Sequence, residues 1–358
     1  MSGNTDNAVN EFNQAMKPVS LWADAWKRLR RNHMALVSLW IVGVYALIAI
    51  VAPILPFLDY RTQNLNHTNL PPSFRPCGEI ALEKLEKDRL VLQERVDSGM
   101  DGLKRDLERV EKKIIVAREE LKTNPANIKV YLFGTDNLGR DILAKTIYGG
   151  RISMMVGLIG TLTAVLVGVI IGAISGYVGG WLDNLLMRFV DIMYGLPYML
   201  IVIILMAMFR KEGQSSIVIL FVGIALVSWL TIARVVRGQI ISLKNSEFVE
   251  AARSMGAGPG RIIFRHLLPN ALGVIIVFTS LSLPSFIMNE SFLSFLGMGV
   301  SAPLSSWGSL VSEGANTMEL YPWQLLAPAI EMTLFLFCMN FLGDGLRDAL
   351  DPQSKNRT

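Results

Sequence analysis

The sequence contains few of the residues that carry chemistry in proteins. Its 358 residues include two cysteines and three histidines. Cys77 and Cys338 lie in segments of different character, so we expect no disulfide between them. His33, His67 and His266 are far apart and share no spacing typical of metal ligands. Neither a phosphate-binding loop nor a nucleophile elbow is present, so the sequence predicts a chain without catalytic residues, bound metal or bound cofactor.

Charged residues are also scarce, at 18% of the chain, whereas hydrophobic residues make up 51% and occur in long blocks. Apolar blocks of about 20 residues cross a bilayer as helices. The sequence therefore predicts an all-α integral membrane protein with six transmembrane helices. The predicted spans are residues 34–56, 152–176, 189–209, 216–234, 271–295 and 325–343.

Basic residues beside the spans predict the orientation of the chain. Four of them directly precede the first span: Lys27, Arg28, Arg30 and Arg31. Such residues favour the cytoplasmic side, so we expect the N-terminal segment, residues 1–33, to be cytoplasmic. Six crossings then return the tail, residues 347–358, to the cytoplasm, and they place the basic segment 235–270 on the same side.

The segment between the first two spans, residues 57–133, has a different composition. Residues 79–122 are rich in Glu, Lys, Arg and Leu, and a turn is predicted at 97–102. Apolar residues in the second half recur as a heptad seam: Leu103, Leu107, Val110, Ile114, Ala117 and Leu121. This pattern predicts an external antiparallel helical hairpin. Two interpretations stay open: a docking site for an external binding protein or partner subunit, or a solvated insertion.

A polar segment between the fourth and fifth spans carries signals for two short helices. Ser246 suits the N-cap of the first helix, and Gly256 suits its left-handed end. Pro259 suits the start of a second helix, predicted over 261–268 and ended by Pro269. The segment is thus predicted to form a compact pair of helices that fits a groove on a partner.

Small residues occupy every fourth position of the second span: Gly160, Ala164, Gly168, Gly172 and Gly176. Small residues at this interval let two membrane helices approach closely. We therefore expect this span to pack tightly against a neighbour. Many membrane bundles use the same pattern, so it does not identify a pore by itself.

Two polar pairs predict local contacts near the membrane surface. Asp136 and Asn137 are suited to cap a short amphipathic helix that lies on the surface before the second span. Arg188 and Asp191 are three residues apart on a helix and are predicted to pair at the start of the third span.

Glu290 and Glu331 lie inside predicted spans, where an unpaired charge is costly. Each carboxylate must face water, a partner charge or a pore. Both residues are therefore candidates for a translocation path. The alternative for each is a carboxyl group that is hydrogen-bonded at a helix interface.

Several strings in the sequence resemble importer-type ABC permeases. Residues 250–252, Glu-Ala-Ala, with Gly256 and the Leu-Pro pair at 268–269, are similar to the cytoplasmic coupling loop of these permeases. Further strings narrow the resemblance to C-type subunits of the dipeptide and oligopeptide importers, in the peptide/nickel branch. They lie at 134–141, 148–153, 290–297, 306–308 and 340–352. The charged hairpin is not covered.

The resemblance implies a core permease domain at 134–346, with five transmembrane helices and a coupling loop at 235–270. It implies that the following residues contact partner ATPase subunits: Glu250, Ala251, Ala252, Arg253, Gly256, Arg261, Leu268 and Pro269. It also implies a second homologous permease, two ATP-binding subunits that hold ATP and Mg, and an external substrate-binding protein.

As a whole, the resemblance implies a pore-forming, non-enzymatic subunit in the bacterial inner membrane that passes dipeptides or oligopeptides into the cytoplasm. A nickel or metal-chelate importer of the same family fits the motifs equally. A membrane scaffold or secretion component, assembled through the external hairpin, is the alternative from a different class.

Overall fold

The computed structural model describes residues 21–54, 59–209, 217–300 and 304–350. Over these residues the chain is helical and forms no β-sheet. The helices are α1 (Leu21–Leu29), α2 (His33–Val51), α3 (Cys77–Asp97), α4 (Lys104–Thr123), α5 (Ile142–Val178), α6 (Gly180–Gly195), α7 (Tyr198–Phe209), α8 (Ile217–Leu243), α9 (Glu247–Ser254), α10 (Pro259–Ile262), α11 (Leu268–Phe295), α12 (Trp307–Ala315) and α13 (Trp323–Leu350).

Within the described ranges, five helical segments are long and apolar enough to cross a membrane, and the bent pair of α6 and α7 makes a sixth if it forms one span. The prediction of an all-α, multi-pass membrane protein is confirmed. Residues 1–20 of the predicted N-terminal segment, residues 55–56 of the first predicted span and residues 351–358 of the predicted tail lie outside the described residues.

The predicted third span is two helices rather than one. Helices α6 and α7 meet at an angle of 77°. A proline restricts the residue before it to extended conformations, and Leu196, before Pro197, has φ −90° and ψ 127°. Helix α6 therefore ends at this point, and the chain turns sharply into α7.

The short surface helix predicted before the second span is wrong as a separate element. Its residues form the first turns of α5, which continues without a break into the span. The cap is Asp141, whose carboxylate accepts a hydrogen bond from the Leu143 N–H at 3.0 Å. The Asp136–Asn137 pair does not cap the helix, because Asp136 belongs to the ion-pair network described below.

Helices α5 and α8 pack closely along the stripe of small residues. A β-carbon added at Gly168 would lie 2.7 Å from Ile232 Cβ, and one added at Gly160 would lie 3.0 Å from Ile224 Cγ2. Ala164 has no exposed surface. The predicted close approach is thus confirmed, and this contact forms the centre of the main apolar core.

Helices α3 and α4 form the predicted antiparallel hairpin. Ile114 of the seam is buried, and its other members are half-buried. Arg118 of α4 pairs with Glu86 of α3 at 2.7 Å. Together with the segments at its base, the hairpin forms a small unit, residues 59–141, beside the start of α5. We call the adjacent end of the helix bundle the hairpin end, and the opposite end, which carries α9, the loop end.

Candidate coupling surface and buried polar sites

The loop end carries α9 and the turn that follows it. Helix α9 begins after Ser246, as predicted, although the Ser246 hydroxyl donates to the Leu243 carbonyl at 2.6 Å and does not cap the helix. Gly256 has φ +80°. It ends α9 in the predicted left-handed conformation, which glycine adopts without a steric cost.

The predicted end of the second helix before Pro269 is wrong. Helix α10 passes through a π-helical turn, Ile263–Leu267, directly into α11. In this turn the Leu268 N–H bonds to the Ile263 carbonyl, five residues back. Proline lacks an N–H and crowds the carbonyl four residues before it, and the wider turn accommodates both effects. Residues 259–295 therefore form one continuous helical rod.

Six of the eight residues predicted to contact ATPase subunits are exposed at the loop end: Glu250, Ala251, Arg253, Gly256, Arg261 and Pro269. Leu268 is half-buried. Ala252 is 2% exposed and faces the interior of the chain. Its small side chain therefore lets α9 pack closely against the rest of the chain, and it offers little surface to a partner subunit.

Sequence reasoning missed three exposed apolar side chains beside these residues. Met255 is 80% exposed and Phe264 is 68% exposed, and Phe248 is also exposed. Exposed apolar groups that are rimmed by polar residues mark contact sites. The helical phase of α9 predicts that Phe248 is exposed, because adjacent residues of a helix point in different directions and Val249 is buried. We call these three residues and the six exposed residues above the loop-end surface.

The inner side of α9 and α10 joins the main apolar core. Val249 and Leu267 have no exposed surface, and Ile262 is almost fully buried. These side chains belong to the same cluster as residues of α5, α8 and α11. Helix α9 is therefore packed directly against the spans.

An ion pair fastens α6 to α8 near the loop end. The Asp183 carboxylate accepts two hydrogen bonds from the Arg237 guanidinium, each of 2.6 Å. It also accepts a hydrogen bond from the Ser175 hydroxyl of α5. Three helices therefore meet at this one carboxylate.

The predicted pair between Arg188 and Asp191 is wrong. Asp191 instead accepts a hydrogen bond of 2.5 Å from Arg234 of α8. The Arg234 guanidinium lies 4.0 Å from the centre of the Tyr194 ring, and this cation–π contact directs it toward α6. The neighbouring helix, and not the same helix, thus supplies the partner.

A buried network of charges joins three elements at the hairpin end. Lys145 of α5 is 2% exposed, and its ammonium group lies 2.9 Å from Asp136 Oδ2 and 2.7 Å from Glu313 Oε2 of α12. Asp136 also pairs with Arg140 at 2.7 Å. Burial disfavours the charged form of Asp136, but Lys145 and Arg140 outweigh burial, so the pKa of this carboxyl lies below its ordinary value. Sequence reasoning missed this network.

His67 occupies the centre of the hairpin unit and is almost fully buried. Its Nε2 lies 2.9 Å from Asn127 Oδ1, and its Nδ1 lies 3.0 Å from Asn64 Nδ2. The orientation of both amides is fixed, because Asn64 Oδ1 accepts from the Asn66 N–H and Asn127 Nδ2 donates to the Glu120 carbonyl. The arrangement suits a neutral ring with its proton on Nε2. Burial lowers the pKa of His67.

The two carboxylates predicted for a translocation path lie in different surroundings. Glu290 of α11 has no exposed surface and accepts hydrogen bonds from Ser153 of α5 at 2.9 Å and from Ser294 at 2.6 Å. It therefore ties α11 to α5. Glu331 of α13 is half-buried and opens into an apolar groove between α2 and α13.

Two family models match the sequence. Residues 168–356 match the binding-protein-dependent transport system inner membrane component. The chain belongs to this permease family. Residues 20–72, which include α1 and α2, match the N-terminal transmembrane domain of oligopeptide transport permease C.

Relatives in this permease family match nearly the whole chain. The oligopeptide transport system permease protein OppC of Salmonella typhimurium is 43% identical over 94% of this chain and 92% of that protein. The OppC protein of Bacillus subtilis is 37% identical over 97% and 94% of the two chains. The dipeptide transport system permease protein DppC of Bacillus subtilis is 36% identical over 94% and 87%. The predicted resemblance to C-type peptide permeases is thus confirmed.

Among solved structures, a chain of the inward-facing MetNI methionine ABC transporter is similar to this chain, with a TM-score of 0.48 and 17% sequence identity. The similarity covers 59% of this chain and 98% of that chain.

Proposed function

We propose that this chain is the pore-forming permease subunit of an ATP-binding-cassette importer that passes dipeptides or oligopeptides into the cytoplasm. The observation that carries the proposal is the near full-length identity, 43% and 36%, to an oligopeptide and a dipeptide permease. The names of these relatives favour peptides over nickel or metal chelates. They also favour a transporter over a scaffold or secretion component.

ATP hydrolysis, on this proposal, takes place on two partner subunits that hold ATP and Mg. These subunits dock on the loop-end surface, where Glu250, Arg253 and Arg261 offer charges and Met255 and Phe264 offer apolar contacts. Apolar groups within a polar rim are typical of protein interfaces. A second homologous permease and an external substrate-binding protein complete the assembly. It lies in the bacterial inner membrane, with the loop end and both termini in the cytoplasm.

The packing of α9 against the main apolar core couples closure of the ATPase subunits to movement of the spans. When the ATPase subunits close, they displace α9, and the buried Val249 passes this displacement to the main core. The rod formed by residues 259–295 starts at the same end, so a push there tilts the whole of α11. The hydrogen bond between Glu290 and Ser153 links this tilt to α5. The pore between the two permeases thereby changes its access from one side of the membrane to the other.

A path role for Glu290 and Glu331 stays a prediction. Glu290 joins two helices in this structure, so it reaches the path only if α11 separates from α5. If Glu331 lines the path, Glu331→Gln is expected to lower the uptake of cationic peptides more than that of neutral peptides. Uptake of both classes at the wild-type rate would remove Glu331 from the path.

The test of the proposed function is ATP-dependent uptake by the complete transporter. The chain is copurified with its second permease, its ATPase subunits and its binding protein, and the assembly is placed in vesicles with labelled dipeptides or oligopeptides outside. We expect uptake that requires ATP and that an ATPase variant without its catalytic carboxylate abolishes. Chelated nickel, tested in the same vesicles, is expected to stay outside. Nickel uptake without peptide uptake contradicts the proposal.

A further inference from the structure

Helix α1 is held in a fixed place at the loop end. Its Leu29 is 4% exposed and packs in one apolar cluster with Ala35 of α2 and Ala349 of α13. The corner between α1 and α2 is fixed as well, because Asn32 Oδ1 accepts a hydrogen bond of 3.2 Å from the Ala35 N–H and so caps α2. The exposed residues of α1 therefore have a defined position beside the two spans.

The end of α1 carries three exposed cations, Lys27, Arg30 and Arg31. The helical turn continues through them. The Arg30 N–H donates to the Trp26 carbonyl and the Arg31 N–H to the Arg28 carbonyl, each at 3.0 Å. Residues three and four apart are neighbours on a helix surface. Arg30 and Arg31 therefore both lie beside Lys27.

These three cations form no ion pair with any carboxylate whose side chain the structure describes. The nearby end of α13 carries two exposed carboxylates, Asp344 and Asp348, and neither of them is a partner. Like charges at this helical spacing repel each other. An anion bound among the cations would relieve that repulsion and would accept charge-assisted hydrogen bonds.

The cations lie at the level at which the headgroups of a bilayer begin. Arg31 comes two residues before α2, which belongs to a segment long and apolar enough to cross a membrane. The exposed apolar side chains of Met34 and Val37 follow within two helical turns. Trp26, one turn before Arg30, is 50% exposed. Tryptophan favours the membrane interface, because its ring is apolar and its N–H reaches polar groups.

The anion can come from a phospholipid or from a partner subunit, and three observations favour the phospholipid. The cations lie at headgroup depth, an exposed tryptophan lies beside them, and their charge is not compensated within the described residues. The surface proposed for the ATPase subunits is a different one. It centres on α9, which packs against α10 and the π-helical turn, whereas α1 packs against α13.

We propose that α1 and the corner before α2 bind the headgroup of an anionic phospholipid in the leaflet at the loop end. Lys27, Arg30 and Arg31 hold the phosphate, and Trp26 lies at the boundary with the acyl chains. The cations thus form a lipid-binding site in addition to favouring one orientation of the chain in the membrane. The inference goes beyond the proposed function and does not depend on which cargo is carried.

Native mass spectrometry of the complete transporter in detergent tests this site. The transporter is titrated with phosphatidylglycerol and, separately, with phosphatidylcholine, which has a phosphate but no net charge. We expect phosphatidylglycerol to bind more tightly. The double variant Arg30→Gln/Arg31→Gln should weaken its binding by about 25-fold, because each cation near a membrane surface contributes about fivefold in affinity. The control, Lys112→Gln/Lys113→Gln, removes the same charge from exposed positions of α4 and should change the affinity by less than about twofold.

Two further variants separate lipid binding from folding and insertion. Arg30→Lys/Arg31→Lys keeps both charges and should keep the affinity within about twofold, because lysine binds phosphate as a point charge. Lys27→Gln leaves two cations before the span and should weaken binding by about fivefold. The Lys27 variant decides the question if the double Gln variant is not recovered from the membrane.

Three results would overturn the inference. The first is that the Gln variants bind phosphatidylglycerol as tightly as the wild type. The second is that millimolar inorganic phosphate displaces the lipid, which would show a site for free phosphate. The third is that the Gln variants keep lipid binding but lose the copurified ATPase subunits, which would assign this surface to a protein partner.

Discussion

Lys145 of α5 and Glu313 of α12 lie 2.7 Å apart although 168 residues separate them in the sequence. Lys145 also binds Asp136, so two helices and the loop before α5 share one ammonium group. A buried ion pair adds little net stability by itself, but the loss of one partner leaves the other charge buried and unpaired. The network therefore fixes the position of the hairpin unit on the helix bundle.

Lys145→Met is the sharpest test of this network. The substitution keeps a long side chain but leaves the buried Asp136 with a single ion-pair partner, Arg140. We expect a loss of about 3 kcal/mol in the free energy of unfolding, seen as a lower unfolding temperature of the purified protein in detergent. Lys112→Met, at an exposed position of α4, is the matched control and should change stability by less than about 0.5 kcal/mol. Equal unfolding temperatures for the two variants contradict the assigned role of Lys145.

His67 makes the hairpin unit sensitive to mild acid. Its pKa in the folded protein lies below the ordinary value of about 6.5, so the unfolded unit binds a proton more readily. Stability is complete above that ordinary value and falls as the pH drops below it. Burial raises the pKa of the adjacent Cys77 thiol to about 11 and also raises that of the Tyr131 hydroxyl, so both groups stay neutral over this range.

Hydrogen exchange measures the effect of His67 locally. After correction for the intrinsic exchange rate, the amides of residues 64–70 and 125–131 should lose protection between about pH 7.5 and pH 5.5, because His67 becomes charged when the unit opens. The His67→Gln variant lacks the titrating ring and should show the same protection at both values. A wild-type protein whose protection is independent of pH excludes this role for His67.

The elements that the sequence predicts well are those that depend on periodicity. The seam through Ile114 is a heptad repeat within one segment. The stripe of small residues through Gly168 predicts that its helix packs closely against another helix, without identifying that helix. The left-handed end of α9 at Gly256 depends on one residue and its immediate neighbours. Patterns of this kind are contained in the local sequence, and the structure confirms all three.

The features that sequence reasoning missed depend on an unusual backbone turn or on residues that are distant in the sequence. Pro269 signals the end of a helix, yet the π-helical turn before it keeps the rod intact. Asp191 has a basic residue on its own helix but binds Arg234 of α8. Lys145 is a single lysine at the start of a span, and nothing near it indicates that Glu313 lies beside it. For Asp191 and Lys145 a tertiary neighbour decides the outcome, whereas at Pro269 the backbone geometry of the preceding turn decides it.

The contact between α5 and α8 predicts that substitution of two glycines by alanine has different effects on stability. A β-carbon at Gly168 would lie 2.7 Å from Ile232 Cβ and 2.8 Å from the Trp229 carbonyl oxygen, whereas one at Gly238 of α8 would meet nothing within 4 Å. Gly168→Ala should therefore force the helices apart and destabilise the protein by about 1–3 kcal/mol. Gly238→Ala should be neutral or slightly stabilising, because alanine favours helix. Thermal unfolding in detergent compares them, and equal losses would show that the stripe is not the site of closest approach.

A matched pair of glycines isolates the part that the loop-end surface plays in transport. Gly256 has φ +80° and Gly258 has φ −70°, and a β-carbon added at either would meet nothing within 4 Å. Gly256→Ala therefore introduces backbone strain of about 1–2 kcal/mol, whereas Gly258→Ala introduces none.

Because the strain falls at the end of α9, we expect Gly256→Ala to lower the amount of peptide imported per ATP hydrolysed in reconstituted vesicles. Gly258→Ala should keep the wild-type ratio. Binding of the ATPase subunits is measured in the same preparations, because a loss of docking would lower uptake and stimulated hydrolysis together. If both variants import at the wild-type ratio, the geometry of the α9 end does not govern coupling, and the assignment of this surface is wrong.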